Sequence, residues 1–164
     1  MSYTVYSIAG AQPIANTETA AKHALGQMVR GTDPTYGDGE FIYLLGVAST
    51  VVGSLVTYNA TTYQTTLLTT ASKATGVPVA VAMSANVAAQ YGWYQVTGNA
   101  VMKKTSVAVT PGVAIYISGT AGRIKVLASS QQQIEGARTA NLTTIVTTTS
   151  TVVVTISRPH VEGQ

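Results

Sequence analysis

Residues 113–126, VAIYISGTAGRIKV, contain the clearest strand–turn–strand pattern of the chain. Residues 119–122, GTAG, supply turn-forming glycines, and Arg123 and Lys125 fall on the face opposite the apolar side chains. The apolar residues that share the other face are Val113, Ile115, Ile117, Ile124 and Val126. One apolar and one polar face with a period of two is typical of half-buried antiparallel strands. The stretch therefore predicts a β-hairpin.

The same period of two continues on both sides of this hairpin, from about Leu25 onward. It predicts further strands at residues 25–30, 41–45, 51–58, 62–68, 77–83, 91–96, 100–103 and 152–157. Residues 41–45, FIYLL, are apolar without interruption, which predicts burial on both faces. Short strands at regular spacing, with at most a turn or two of helix at residues 19–26, favour an all-β antiparallel sandwich or barrel of jelly-roll type.

Few charges are available to cover the surface of this fold. The chain has 164 residues, enough for one domain with a substantial core, and only 9% of them are Asp, Glu, Lys or Arg, against about 25% in ordinary domains. The chain has no Cys, so disulfides cannot contribute. Two explanations of the low charge remain open: a surface that is covered by protein in use, or simply a Thr-rich β surface.

Several function classes lack their usual sequence features. The net charge is only +3, and Lys103-Lys104 is the sole adjacent basic pair, so we predict no nucleic-acid binding. Residues 41–58 carry no charge, but Gly, Ser and Thr interrupt them, and we predict no membrane insertion. The first residues lack a signal-peptide pattern, so we expect synthesis in the cytoplasm.

Catalytic and metal-binding patterns are also sparse. The two histidines, His23 and His160, lie near opposite ends of the chain; we expect both to be solvated and predict that the protein is not an enzyme and carries no cofactor. Asp33, Asp38 and Glu40 form an acidic group that suggests calcium. Their spacing departs from an EF-hand, and Asp beside Pro or Gly is typical of turns, so we favour a turn and no metal site.

The N-terminal segment is set apart from the main strand series. Its apolar residues precede residues 9–13, AGAQP, which break the pattern. We therefore divide the chain into an N-terminal arm, residues 1–24, and a single β domain, residues 25–164, and expect the arm to reach beyond its own domain. The alternative is a first strand that pairs within the chain's own sheet. The arm residues expected to bind a neighbour are Tyr3, Val5, Tyr6 and Ile8.

Aromatic residues supply further interface candidates, since Tyr and Trp offer rigid apolar area with a polar tip. The chain has nine Tyr and one Trp, and we select Tyr36, Tyr91 and Trp93. Trp93 lies within a predicted strand, between Gly92 and Gly98, so we expect it to anchor the core or an interface, with the glycines marking close backbone approach or a bulge.

Four short stretches of the sequence together resemble the head decoration, or cement, proteins of tailed bacteriophages. They are TDPTYGDGEFIYL followed by GVA (32–44 and 46–48), QYGWYQVTG (90–98), the Pro111-Gly112 pair, and ISRP (156–159). The resemblance extends over most of residues 25–160. It implies a small β protein on the outer surface of the virion, bound to the major capsid protein and to itself as a dimer or trimer. The alternative is a phage fibre or adsorption module that binds host carbohydrate through a Tyr-rich surface.

Overall fold

The computed structural model describes residues 3–6 and 12–164, which form an all-β domain. The only helical element in these ranges is a 3₁₀ turn, Thr70–Ser72. The twelve strands are β1 (Thr4–Val5), β2 (Thr17–Glu18), β3 (Met28–Asp33), β4 (Gly37–Leu45), β5 (Leu55–Tyr58), β6 (Thr65–Leu67), β7 (Val79–Ala82), β8 (Tyr91–Lys103), β9 (Ala114–Ile117), β10 (Ile124–Lys125), β11 (Gln133–Thr139) and β12 (Thr151–Val161).

These strands form one antiparallel sheet that does not close. Its main path has the order β1-β3-β4-β8-β12-β11-β9-β10, and a branch adds β2 and β7 to β8, with β5 and β6 beyond β7. The prediction of an all-β antiparallel fold is confirmed, and its form is sandwich-like rather than a closed barrel. The hairpin predicted from residues 113–126 is present, with Ile117 opposite Ile124.

The long strand β8 is the centre of the sheet. Gln95 pairs with Phe41 of β4 and with Val81 of β7, and Thr97 pairs with Glu40 of β4 and with Ser157 of β12. Both edges of β8 are therefore occupied. Gly98 lies beside a register shift between β4 and β8, has φ of 98°, and leaves no room for a Cβ, which would lie 2.3 Å from the Asp38 carbonyl oxygen.

Both faces of the β4–β8 pair are covered, as the uninterrupted apolar run of β4 predicts. One face carries an aromatic cluster of Phe41, Tyr43 and Trp93, over which Tyr3 and Ile14 pack. On the other face, Ile42, Leu44 and Tyr94 pack against β5 and β7. A third and larger core fills the C-terminal half, where the apolar side chains of β9 to β12 meet Leu55, Leu68 and Met102. Trp93 is fully buried, so of the two expected places, the core or an interface, it occupies the core.

Strand β11 is not predicted by the sequence pattern. Gly136 has φ of 70°, and the pairing of β11 with β12 shifts between Glu135 and Ala137. This bulge interrupts the period of two. The helical turns expected at residues 19–26 are also absent, because Gly26 N donates to Tyr43 O at 2.8 Å and Lys22 N donates to the Tyr43 hydroxyl at 3.2 Å. Contacts with β4 thus replace the hydrogen bonds of a helix.

The described part of the N-terminal segment packs on the domain instead of projecting from it. Thr4 and Val5 pair with Thr32 and Gly31 of β3, and β2 pairs with the start of β8. The first strand thus pairs within the chain's own sheet, which was the alternative to an arm that reaches beyond the domain. Its physical cause is the Tyr3 ring, which lies edge-on to the Phe41 ring with centroids 4.7 Å apart. Ile8 lies outside the described residues.

Candidate functional site

The acidic group that suggests calcium consists of Asp33, Asp38 and Glu40. In the structure, the carboxylates of Asp33 and Glu40 have other partners. Asp33 Oδ1 accepts hydrogen bonds from Thr35 N at 2.8 Å and from Tyr36 N at 3.0 Å, the geometry of an Asx turn. Glu40 instead pairs with arginines. Among the described residues, no group of three or more His, Asp or Glu side chains is arranged to hold a metal ion.

Glu40 links four strands through its two carboxylate oxygens. Oε1 accepts bonds from Arg30 Nε at 2.9 Å and Arg30 Nη2 at 2.7 Å, while Oε2 accepts bonds from Arg158 Nη2 at 3.2 Å and Thr97 Oγ1 at 3.3 Å. The hydrogen bonds from Arg30 are the main reason that the pKa of Glu40 is lowered. This cluster ties β3 and β12 to the centre of the sheet.

Beside this cluster lies an open groove of about 370 Å³, which we call the Tyr58–Tyr63 groove. Its lining includes Ile42 of β4, Tyr58 of β5, Val79 of β7 and Val96 of β8. Its walls combine aromatic and apolar side chains with one guanidinium and one imidazole: Met28, Ile42, Tyr58, Tyr63, Pro78, Val96, Arg158, Pro159 and His160. No acidic side chain lines it among the residues that the structure describes.

Two residues of this groove have unusual backbone conformations. Arg158 has φ of 45° and directly precedes Pro159, and Tyr63 has φ of 56°. Such conformations are disfavoured for residues with side chains and collect at functional sites. The ring of Tyr63 lies directly over Gly26, where a Cβ would be 2.3 Å from Tyr63 Cζ. The Tyr63 ring thus fills the space that a side chain at position 26 would occupy.

A second feature is an apolar surface at the end of β8 where the strand finishes at Lys103. Leu142 is 96% exposed and Val146 is 57% exposed, yet the backbone of residues 141–146, the 141–146 loop, is firmly held. Asn141 Nδ2 donates to Val109 O at 3.0 Å and to Thr143 O at 2.7 Å. The adjacent Ile145 forms two backbone hydrogen bonds of 2.9 Å with Val109.

Buried Lys104 completes the attachment of this loop. Its Nζ donates to Val107 O at 2.8 Å, Val146 O at 3.1 Å and Thr105 O at 3.3 Å. The neighbouring Lys103 N donates to Gly53 O at 2.8 Å, which brings the turn carrying the exposed Val51 and Val52 to the same end of β8. Rigid loops with exposed apolar side chains thus gather at this end of the domain.

Apart from Tyr6, the described interface candidates lie in or against one aromatic cluster. Tyr3 and Trp93 are buried within the chain, and Val5, Tyr36 and Tyr91 are partly buried against the same cluster. Tyr6, at 57% exposure, is the most accessible of the described candidates. They share the sheet face of the aromatic cluster and not a common exposed surface.

The two histidines differ in how far they depart from the expectation that both are solvated, since the side chain of His160 is 45% exposed and His23 is more enclosed. His23 is partly buried and contacts the rings of Tyr43 and Trp93, with centroids 5.3 Å and 5.2 Å away. His160 belongs to β12, and its Nε2 lies 3.2 Å from Glu135 Oε2 on β11. Each has a packing partner or an ion-pair partner that accounts for its position.

Comparison of the chain with protein-family models, with curated proteins and with solved structures gives no significant match. In the described ranges, no helix has the length and apolar composition needed to cross a bilayer.

The sequence patterns did not predict the Tyr58–Tyr63 groove or the exposed apolar side chains of the 141–146 loop. Tyr58 and Tyr63 are close together in the sequence, but Arg158 is far from both and meets them only because β12 and the β5–β6 turn line the same groove. The available signal was Arg158-Pro159, a charged residue before a proline within an apolar strand. For Leu142, the signal was an isolated leucine within a polar stretch, NLTT at residues 141–144.

Proposed function

We propose that this chain is a structural protein of a tailed-bacteriophage head. In this role it decorates the outer surface of the capsid and clamps neighbouring subunits of the major capsid protein, without catalysing a reaction. The sequence resemblance suggests the setting. The observation that carries the proposal is the 141–146 loop, which presents Leu142 to solvent from a backbone fixed by Asn141 and Lys104.

A rigid, exposed apolar side chain is a suitable anchor for a protein interface. Binding costs free energy when loops and side chains are ordered, and a loop that is already fixed avoids much of that cost. Interface energy is also concentrated in a few anchors that fill pockets on the partner. Leu142, Val146, Val51 and Val52 supply such anchors at one end of the domain.

Self-association belongs to the same proposal. We expect a dimer or trimer on the capsid, because one small domain with few charges gains both area and avidity when copies act together. Light scattering of the purified protein at high concentration measures this. A monomer both in solution and on the particle would contradict it.

The test uses particles of the phage that encodes the chain. A decoration protein is present in copy numbers comparable to the capsid protein, which quantitative gel analysis of purified heads measures. Leu142→Asp should lower occupancy on heads that lack the protein about tenfold, because it places a charge in an apolar contact. Thr148→Asp adds the same charge at an exposed position nearby and serves as the control.

Both variants should melt like the parent protein, since Leu142 has almost no contacts to lose within the chain. Unchanged head binding by Leu142→Asp would remove the main support for this surface. Scarcity of the protein in purified heads would contradict the decoration role itself.

The alternative is a fibre or adsorption module that binds host carbohydrate. The Tyr58–Tyr63 groove favours it, since aromatic walls with a few polar groups are typical of ligand sites. A fibre would be present in only a few copies per particle, so the same gel analysis separates the two roles.

A further inference from the structure

We propose that the Tyr58–Tyr63 groove binds an acidic carbohydrate, with the tyrosine rings contacting the sugar and Arg158 pairing with its carboxylate. This inference does not depend on the decoration role, because the groove and the 141–146 loop use different residues. A protein on the outside of a particle can carry both activities.

The charges at the groove favour an anion. Arg158 is the permanently charged cation in its wall, His160 adds an imidazole, and no carboxylate of a described residue lines it. Arg158 is 71% exposed and contacts Glu40 through Nη2 at 3.2 Å, while Arg30 holds the other oxygen of Glu40 at 2.7 Å. His160 faces Glu135. The guanidinium of Arg158 thus keeps donors for a bidentate carboxylate.

Tyr58 lies within electrostatic reach of that guanidinium. The pKa of Tyr58 is raised mainly by burial, and the charge of Arg158 acts in the opposite direction. Tyr58 and Tyr63 also pack at the margin of the core on this face. Two partly buried rings with polar tips beside one cation suit a ring-shaped ligand that has an apolar face, hydroxyl groups and an acid group.

The backbone around the groove argues for a sugar over an extended peptide. Peptides that add to a sheet need free backbone groups. Here Gly26 N already donates to Tyr43 O, Tyr58 N to Pro78 O, and Tyr63 N to Asn59 O. Recognition therefore falls to side chains, as it does in carbohydrate sites.

The groove is also fixed before any ligand binds. Asn59 Oδ1 accepts hydrogen bonds of 2.8 Å from both Thr61 N and Thr62 N, which locks the turn that leads into Tyr63. Gly26 leaves the space that the Tyr63 ring fills. A site that is fixed in this way avoids the cost of ordering on binding.

The test is calorimetric titration of the full chain with trigalacturonate and with maltotriose, its neutral counterpart in size. We expect saturable binding of trigalacturonate that is at least about tenfold tighter than binding of maltotriose and that weakens with added salt. Arg158→Gln should reduce trigalacturonate affinity about tenfold and leave maltotriose unaffected. Tyr63→Ala should reduce binding of both sugars. Tyr116→Ala, on β9 outside the groove, is the matched control.

Thermal melts show whether each variant is folded. If Tyr63→Ala does not fold, Tyr58→Phe, which removes only a hydroxyl, takes its place and should weaken trigalacturonate binding severalfold. Absence of saturable trigalacturonate binding, equal affinity for maltotriose, or insensitivity to Arg158→Gln would overturn the proposal. Tighter binding of triglutamate peptide than of trigalacturonate would also overturn it and assign the groove to an acidic protein segment.

Discussion

The imidazole of His23 lies against the indole of Trp93, with ring centroids 5.2 Å apart, and it also contacts the ring of Tyr43 edge-on. The backbone of the preceding residue, Lys22, donates to the Tyr43 hydroxyl. These contacts fasten residues 12–24 to the aromatic cluster on β4 and β8. His23 is thus a link between the N-terminal segment and Trp93, the largest fully buried side chain among the described residues.

Removing this imidazole should loosen the segment. His23→Ala is expected to lower the free energy of unfolding by about 1 kcal/mol, the usual contribution of an aromatic contact. Trp93 is the only tryptophan, so its fluorescence reports on this one place, and the emission should shift to longer wavelength as water approaches. Lys22→Ala, at the exposed neighbouring position, should change neither quantity. Identical spectra for the two variants would mean that His23 does not cover Trp93.

Two tyrosines of the first strand segment provide a matched pair. Tyr3 is 8% exposed and its hydroxyl donates to Asn99 O at 3.1 Å, while Tyr6 is 57% exposed. Tyr3→Ala should cost about 3 kcal/mol in chemical denaturation, as large-to-small changes in a core do. Tyr6→Ala should stay within about 0.5 kcal/mol. Equal, small effects would instead support an arm that leaves its own domain.

The carboxylate of Glu40 should make stability depend on acid. Its pKa is lowered from 4.5, chiefly by the hydrogen bonds from Arg30, so the folded state favours the ionised form. That stabilisation is present above the unfolded value and is lost as the pH falls through the folded value. Glu40→Gln should therefore be less stable than the parent near neutral pH, and the difference should vanish in acid well below about pH 4.5.

Denaturant midpoints measured across this pH range provide the test. Arg30→Gln removes the main donor to Glu40 and should give a pH dependence in the same direction but smaller, because Arg158 and Thr97 still donate to the carboxylate. A difference between Glu40→Gln and the parent that persists unchanged in acid would show that charge is not its cause.

The strands were largely predictable because alternation is a local property. Residues 113–126 and 41–45 have their patterns within a few positions, and both form the expected elements. Local pattern fails where a neighbour in space decides the outcome. Gly136 lies at a bulge that interrupts the alternating pattern of β11. Hydrogen bonds from Lys22 N and Gly26 N to Tyr43 replace those that a helix would form.

The surroundings of the Tyr58–Tyr63 groove depend on contacts between residues that are even farther apart in the sequence. Arg158 meets Glu40 across 118 positions of the chain, and no period in the sequence encodes such a meeting. The backbone conformations of Tyr63 and Arg158 are likewise consequences of the turns that flank them. Leu142 was overlooked for a different reason, because exposure of a single leucine is ordinary until the rigidity of its loop is known.

The position of β12 determines the order in which this protein can fold. Residues 151–161 lie between β8 and β11 in the middle of the sheet, and their side chains fill the largest core. During synthesis, β8 and β11 leave the ribosome before the strand that joins them. The C-terminal half therefore lacks the strand that joins β8 to β11 until residue 161 has emerged, and that strand pairs with β8 through contacts distant in sequence, which slow folding. Nascent chains should remain sensitive to protease in this half long after β3 and β4 have paired.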